Sequence, residues 1–185
     1  MKLNNKGFTL LELLIATTVF SVILLLCTFG LIQVGRNYYK GITLSRAQNS
    51  ARSVMNLLTQ SVQYSGSNPV GDLPEGTGPN SGVFCVGTVR FEYKLNSKVG
   101  DPDAYALRTS NCNEAIDQAQ KTEQVGKGMS LQSLKVQPAG AGSYNIGVKI
   151  LYGDSDQLTN GACTSGAGSQ FCAVSALNTI VQPRL

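Results

Sequence analysis

Twenty-seven consecutive residues, Phe8 to Val34, carry a single charge, Glu12. As a helix rising ~1.5 Å per residue this run is roughly 40 Å long, more than the ~30 Å hydrocarbon core of a bilayer. The segment reads as membrane, so either it does not enter lipid or its one charge has a partner. A carboxylate near its start is costly there, by ~2.5–3.5 kcal/mol at a membrane centre, and such groups are usually paired. Glu12 therefore calls for a partner.

The rest of the 185 residues are polar and glycine-rich, enough for one domain with an appendage. The formal charge of +4 does not point to nucleic acid. Lys2 and Lys6 lie at the N-terminus, and Arg36, Lys40, Arg46 and Arg52 on the stretch that follows the apolar run. From residue 65 onward nine basic residues face ten acidic ones. A near-neutral C-terminal part lacks the concentrated basic face that phosphate binding needs.

There is no histidine. Histidine-dependent nucleophilic catalysis and histidine-bound metals are excluded with it, and no phosphate-cradling glycine loop is present. Asp154-Ser155-Asp156, with Asn160 near, is too short of ligands for a calcium loop and reads as a polar turn. Asp101-Pro102-Asp103 reads likewise. No catalytic residue, metal or cofactor is expected.

Cys27 lies in the apolar run; Cys85, Cys112, Cys163 and Cys172 follow it. Four cysteines behind an export-type segment predict two disulfides in an oxidising compartment, with four buried thiols as the alternative. No spacing suits zinc. Opposed residues in an antiparallel hairpin have a constant sum of numbers. Cys85 with Cys112 centres on a turn near 98–99, and Cys163 with Cys172 on Ala167–Gly168, so adjacent pairing is expected.

Three readings compete for the N-terminus. A secretory signal peptide fits poorly, because the run is too long, Glu12 interrupts it and no small-residue cleavage site follows. Bulky Leu26 argues against a lipoprotein site at Cys27. A plain anchor would place Lys2 and Lys6 in the cytoplasm and the remainder outside. The third reading rests on Lys6-Gly7-Phe8-Thr9-Leu10-Leu11-Glu12, which closely resembles the processing site of type IV pilins and type II secretion pseudopilins. The resemblance implies that a prepilin peptidase cuts between Gly7 and Phe8, removing residues 1–7, and methylates Phe8. It further implies that Glu12, fifth in the mature chain, meets the Phe8 amine of a neighbouring subunit as the chain joins a filament. That amine has a reference pKa of ~8 and is largely cationic near neutrality. Simple snorkelling of Glu12 to the interface is the bland alternative.

Beyond Val34 the helix is expected to run on to about Tyr64, ~80 Å in all. No proline precedes Pro69, and Leu44, Ala47, Ala51, Val54, Leu58 and Val62 form a stripe at steps of three and four. Arg46, Asn49, Arg52, Ser53, Asn56 and Gln60 occupy the other faces. Gly30 and Gly35 mark either a bendable join or a close helix contact, and Tyr38 and Tyr39 either interfacial anchors or packing residues. Ser65–Pro69 stops the helix, and a loop rich in glycine and proline follows over 66–82. Strands are then expected where apolar residues alternate. Val89, Phe91, Tyr93 and Leu95 alternate with Arg90, Glu92 and Lys94, which predicts one buried face. Tyr105 and Leu107 continue after a turn at 98–103. A strand at Leu131–Val136 leads across a turn at 138–142 to Tyr144, Ile146, Val148, Ile150 and Tyr152. A weaker last strand runs from about Val174 to Val181, and the tail 182–185 is not a clean closing strand.

The whole is an α+β chain, and the resemblance implies the type IV pilin fold. Its parts are a leader (1–7), a membrane or filament-core half-helix (8–34), an amphipathic half (35–64) and a disulfide-stapled β-rich head (65–185). The resemblance also implies a structural subunit, not an enzyme, whose partners are major and minor pilins, the peptidase and an inner-membrane assembly platform. It would be single-pass in the bacterial inner membrane before assembly, with the head outside the cytoplasm, and part of an extracellular or periplasmic filament afterwards. The FEY and VKILYG strands are similar to minor pilins of the PilW and pseudopilin J type. A minor pilin that primes or caps assembly is the favoured expectation. A major pilin, a secretion pseudopilin and a subunit for DNA uptake or adhesion are the alternatives.

Overall fold

The structure, a computed structural model, describes residues 8–76, 80–115, 120–159, 161–164 and 168–184. The chain divides into two compact units, residues 1–39 and 40–185. One helix, α1 (Leu10–Tyr64, 55 residues), contributes to both. In the first unit every described side chain through Val34 is exposed, so among the described residues nothing buries this part of α1. The helix is long and apolar enough to cross a membrane.

In the second unit the three- and four-residue periodicity of α1 is realised as burial. Ala47, Ala51, Val54, Leu58 and Val62 are fully buried. Leu44, expected in the same stripe, is 40% exposed, while Thr43 and Met55 are buried in addition. The helix stops at Tyr64, and Gly66 takes a left-handed φ of 63°, the conformation that glycine adopts most readily at a helix end.

Two antiparallel sheets supply the rest of the core. The first has the order β1 (Val70–Gly71), β2 (Ser81–Val86), β3 (Val89–Lys94), β4 (Leu107–Asn111) and β5 (Thr122–Glu123). In the second, β10 (Ala173–Val181) pairs with β7 (Ser143–Tyr152), which pairs with β6 (Met129–Gly140). A small hairpin joins β8 (Leu158–Thr159) to β9 (Ala162–Cys163). Phe84, Phe91 and Tyr93 from the first sheet share one cluster with Leu131, Ile146 and Ile150 from the second and with the helix stripe. Phe84 and Phe91 stack with centroids 5.1 Å apart. The segment after β3 covers the start of β6, where Asn96 N–H and Val99 N–H donate to the carbonyls of Leu131 and Met129, each at 2.8 Å, and Val136 N–H further along donates to the Pro74 carbonyl at 2.8 Å.

Three expectations need correction. Strand β3 does not have one open face, because Arg90 and Glu92 are 7% and 6% exposed. The chain after β4 folds back over them. Arg90 Nη2 donates to the carbonyls of Cys112 and Glu114 at 3.0 and 2.7 Å, and Lys121 Nζ donates to Glu92 Oε2 at 3.0 Å. Tyr105 is not in a strand. It precedes β4, with the Arg108 guanidinium 4.5 Å from its ring centroid. The strand expected at Leu131–Val136 extends over Met129–Gly140, so Pro138 lies in a strand instead of the turn.

Burying Glu92 makes Lys121 structurally important. Lys121→Met would leave a carboxylate inside without its cation, at a cost of about 2–3 kcal/mol. For a chain of this size that lowers the melting midpoint by roughly 4–12 °C. Adding Glu92→Gln should recover much of the loss, because the double variant strands no charge. Thermal denaturation of the three variants checks both statements.

Tyr93, 1% exposed, packs its ring against Gly82, where a Cβ would lie 2.6 Å from the phenol oxygen. Burial first, and the Asp72 charge second, push its phenol above the ordinary value of 10.0. The folded state thus favours the protonated phenol. That contribution is complete below pH ~10 and lost as the pH rises through the native value. Denaturant midpoints measured between neutral and strongly alkaline pH should fall from about pH 10 upward, and less steeply in Tyr93→Phe.

Candidate functional site

The beginning of α1 gathers the residues marked as a processing and assembly site. Gly7 lies outside the described residues. Phe8 is 81% exposed, followed by Leu10 at 87% and Leu11 at 69%. Helix α1 begins at Leu10, so Thr9 holds the N-cap position and Glu12 the third helical position.

Thr9 and Glu12 close on each other. Thr9 N–H and Thr9 Oγ1–H both donate to Glu12 Oε2, at 3.0 and 2.8 Å, and Glu12 N–H donates to Thr9 Oγ1 at 3.2 Å. This is the reciprocal capping arrangement of Thr-x-x-Glu, which satisfies two amides that an α-helix leaves unpaired at its start. A negative charge there also opposes the positive end of the helix dipole. The sequence pattern that signals it, a Thr three residues ahead of a Glu before an apolar run, stands in Thr9-Leu10-Leu11-Glu12. The expectation for Glu12 rests on its charge and does not include the cap.

The cap engages one carboxylate oxygen. Among the described residues Oε1 accepts no hydrogen bond, so the group has a free face while it stabilises its own helix. Phe8 lies one residue before the amide that Glu12 already binds.

Around this point the first unit offers mainly apolar surface. Leu13, Leu14, Ile15, Val19 and Phe20 are all more than half exposed. Cys27 is a free, exposed thiol on the same helix. A Cβ at Gly30 or Gly35 would meet nothing within 4 Å, so neither glycine serves a close contact inside the chain.

In the second unit the structure joins Cys85 to Cys112 and Cys163 to Cys172, with Cα–Cα distances of 6.1 and 5.8 Å. The simple hairpin behind the first expected pair is absent. Cys85 lies on β2, Cys112 follows β4, and β3 runs between them. Asp154 forms an ion pair with Lys98 and leads into a 3₁₀ turn at Ser155–Gln157. Asn160 lies outside the described residues. Among the described residues no group of three or more cysteine and carboxylate side chains is placed to hold a metal ion.

Residues 2–28 match the family model of the prokaryotic N-terminal methylation motif. Neither a curated protein nor a solved structure matches the chain.

Proposed function

We propose that this chain, which carries the leader and methylation motif shared by type IV pilins and pseudopilins, is a minor pilin that primes or caps a filament. The motif supports a pilin- or pseudopilin-like structural subunit, processed by a prepilin peptidase and assembled with other pilin subunits. An apolar helix with a β-rich second unit accords with a membrane-anchored precursor. The observation that carries the reading is the placement of Glu12: a carboxylate on an otherwise apolar, exposed helix, one oxygen engaged in its own cap and the other free.

In the proposed sequence of events, cleavage between Gly7 and Phe8 exposes the amine that is then methylated. Glu12 of the incoming chain attracts the Phe8 ammonium of a neighbour already in the filament. In a low-dielectric setting this pairing replaces the unpaired state of both groups, so joining the filament relieves the penalty of holding a charge in lipid. The chain itself performs no catalysis. A comparatively large head, and FEY and VKILYG strands similar to those of minor pilins of the PilW and pseudopilin J type, support a minor role.

Mass spectrometry of sheared surface filaments tests this. The expected result is an N-terminal peptide starting at methylated Phe8, with the chain present at a few per cent or less of the most abundant pilin. A chain that begins at Met1 overturns processing. Abundance equal to the main subunit makes it a major pilin. Absence from filaments, together with a secretion defect on deletion, makes it a pseudopilin.

A further inference from the structure

Strand β10 leaves one long edge of the second sheet open. Among the described residues it pairs with β7 alone, from Ala173↔Tyr152 to Val181↔Tyr144, and no strand is hydrogen-bonded to its other side. Every second amide and carbonyl along that side points away from the sheet, forming a template for another strand. The remaining edges are protected. β1 and β5 are two residues each, and β6 is covered by the segment after β3 at Met129–Leu131 and by Pro74 and Glu75 at Lys135–Val136. β10 has nine residues, no charge and no proline, so it lacks the usual devices that discourage pairing.

We propose that β10 pairs antiparallel with β10 of a second copy of this chain, centred on Leu177. A head-to-tail arrangement would need a second free edge, and none of comparable length exists among the described residues. The self-paired register sets apolar residues opposite each other at 174/180 and 177/177 and hydroxyls opposite each other at 175/179. Val174 faces Ile180 of the second copy, Ser175 faces Thr179, Ala176 faces Asn178, and Leu177 faces itself. Ile180, 68% exposed, lies beside Val174 in this register. Val174 lines a groove of about 430 Å³ along the first half of β10, whose other walls include Leu44, Ala162 and Cys163, with Lys40 and Lys149 also lining it. Because the pairing is two-fold, the groove and the protruding Ile180 occur on both copies and each fills the other. No like charges oppose each other, and the Ser–Thr pair adds a cross-strand hydrogen bond. Such a two-fold contact is closed and does not propagate, which sets it apart from the repeating contacts of a fibre. It goes beyond the proposed pilin role and stands without it.

Cysteine pairing tests the register. Full-length chains carrying Ala176→Cys or Asn178→Cys, each with Cys27→Ser, are expressed singly and together and oxidised in the membrane. Residues 176 and 178 of opposite copies would be opposed at about 5 Å, whereas like positions lie about 7–8 Å apart on the diagonal, at or beyond disulfide reach. Co-expression should give at least tenfold more linked dimer than either chain alone, with peptide mapping locating the 176–178 bond. Equal yields in all three cultures, or none on co-expression, overturn the proposal. A second measurement uses Ala176→Lys with Asn178→Lys, both at exposed sites. The detergent-solubilised wild type should have dimer mass by light scattering and this variant monomer mass, at an unchanged melting midpoint. Identical masses overturn the pairing, and a disulfide from the Ala176→Cys chain to a different protein transfers the edge to that partner and also overturns it.

Discussion

Glu12→Gln is expected to lower incorporation into filaments about a hundredfold while membrane insertion and cleavage after Gly7 proceed normally. Glutamine serves in a capping box as glutamate does, so the helix start is preserved. What disappears is the charge. If the neighbouring amine depends on that charge, the variant leaves an ammonium without its counter-ion in an apolar setting. Removing one member of a buried ion pair costs about 3 kcal/mol or more, which corresponds to about two orders of magnitude in occupancy. Thr9→Val provides the converse. It deletes the hydroxyl that both gives and receives a hydrogen bond in the cap, at a cost of about 1 kcal/mol to the helix end, but leaves the carboxylate charged. Quantitative blotting of sheared filaments against total membrane protein separates the two roles. With pairing, Glu12→Gln fails and Thr9→Val assembles within several-fold of wild type. If Glu12 only caps its own helix, the order is reversed.

The helix was legible because both its halves follow simple periodic rules. Its first half is apolar on all sides, and its second half buries a stripe of small and branched residues, Ala47 to Val62. The longest strands, β6 and β7, were legible for a related reason, since each has one face on the core. Where a strand is covered on both faces, alternation ceases to mean inside and outside. Arg90 and Glu92 have the polarity of surface residues yet lie beneath the chain that follows β4. What makes this tolerable is long-range, carbonyls of Cys112 and Glu114 on one side and Lys121 on the other, and no local pattern announces it. Strand β2 escaped recognition for the same reason: Val83 and Cys85 on its second face are half-buried, so the segment has no clean period. The two-residue strands exist only as partners of longer ones. At the candidate site the processing motif is plain in the sequence, whereas the cap uses the same Thr9 and Glu12 at the head of an apolar run in which a carboxylate is first of all a membrane charge.

The same cover over β3 makes the two disulfides unequal. Cys85 and Cys112 are 27 residues apart and Cys163 and Cys172 nine. Restriction of the unfolded chain alone assigns them about 3.6 and about 2.7 kcal/mol. The first bond has a further duty. Cys112 also donates its amide to the Thr88 carbonyl at 2.8 Å and accepts from Arg90. It is the point from which the covering segment leaves β4. Freed at this point, that segment would let water reach Arg90 and Glu92, and it would no longer hold Lys121 over the carboxylate. Cys85→Ala with Cys112→Ala is therefore expected to cost more than the loop entropy, about 4–6 kcal/mol once a buried charge pair is loosened. The melting midpoint should fall by roughly 8–24 °C. Cys163→Ala with Cys172→Ala should stay near about 2.7 kcal/mol, since that pair closes a short loop and covers no buried charge. The two effects also differ in kind. In the first variant Lys121→Met should add little, because the contact it removes is already weakened, whereas in the second it should add its full cost. Thermal melts of the four variants in detergent decide the point. Equal destabilisation by the two disulfide deletions, or full additivity of Lys121→Met with the loss of Cys85–Cys112, would show that the cover holds without its staple.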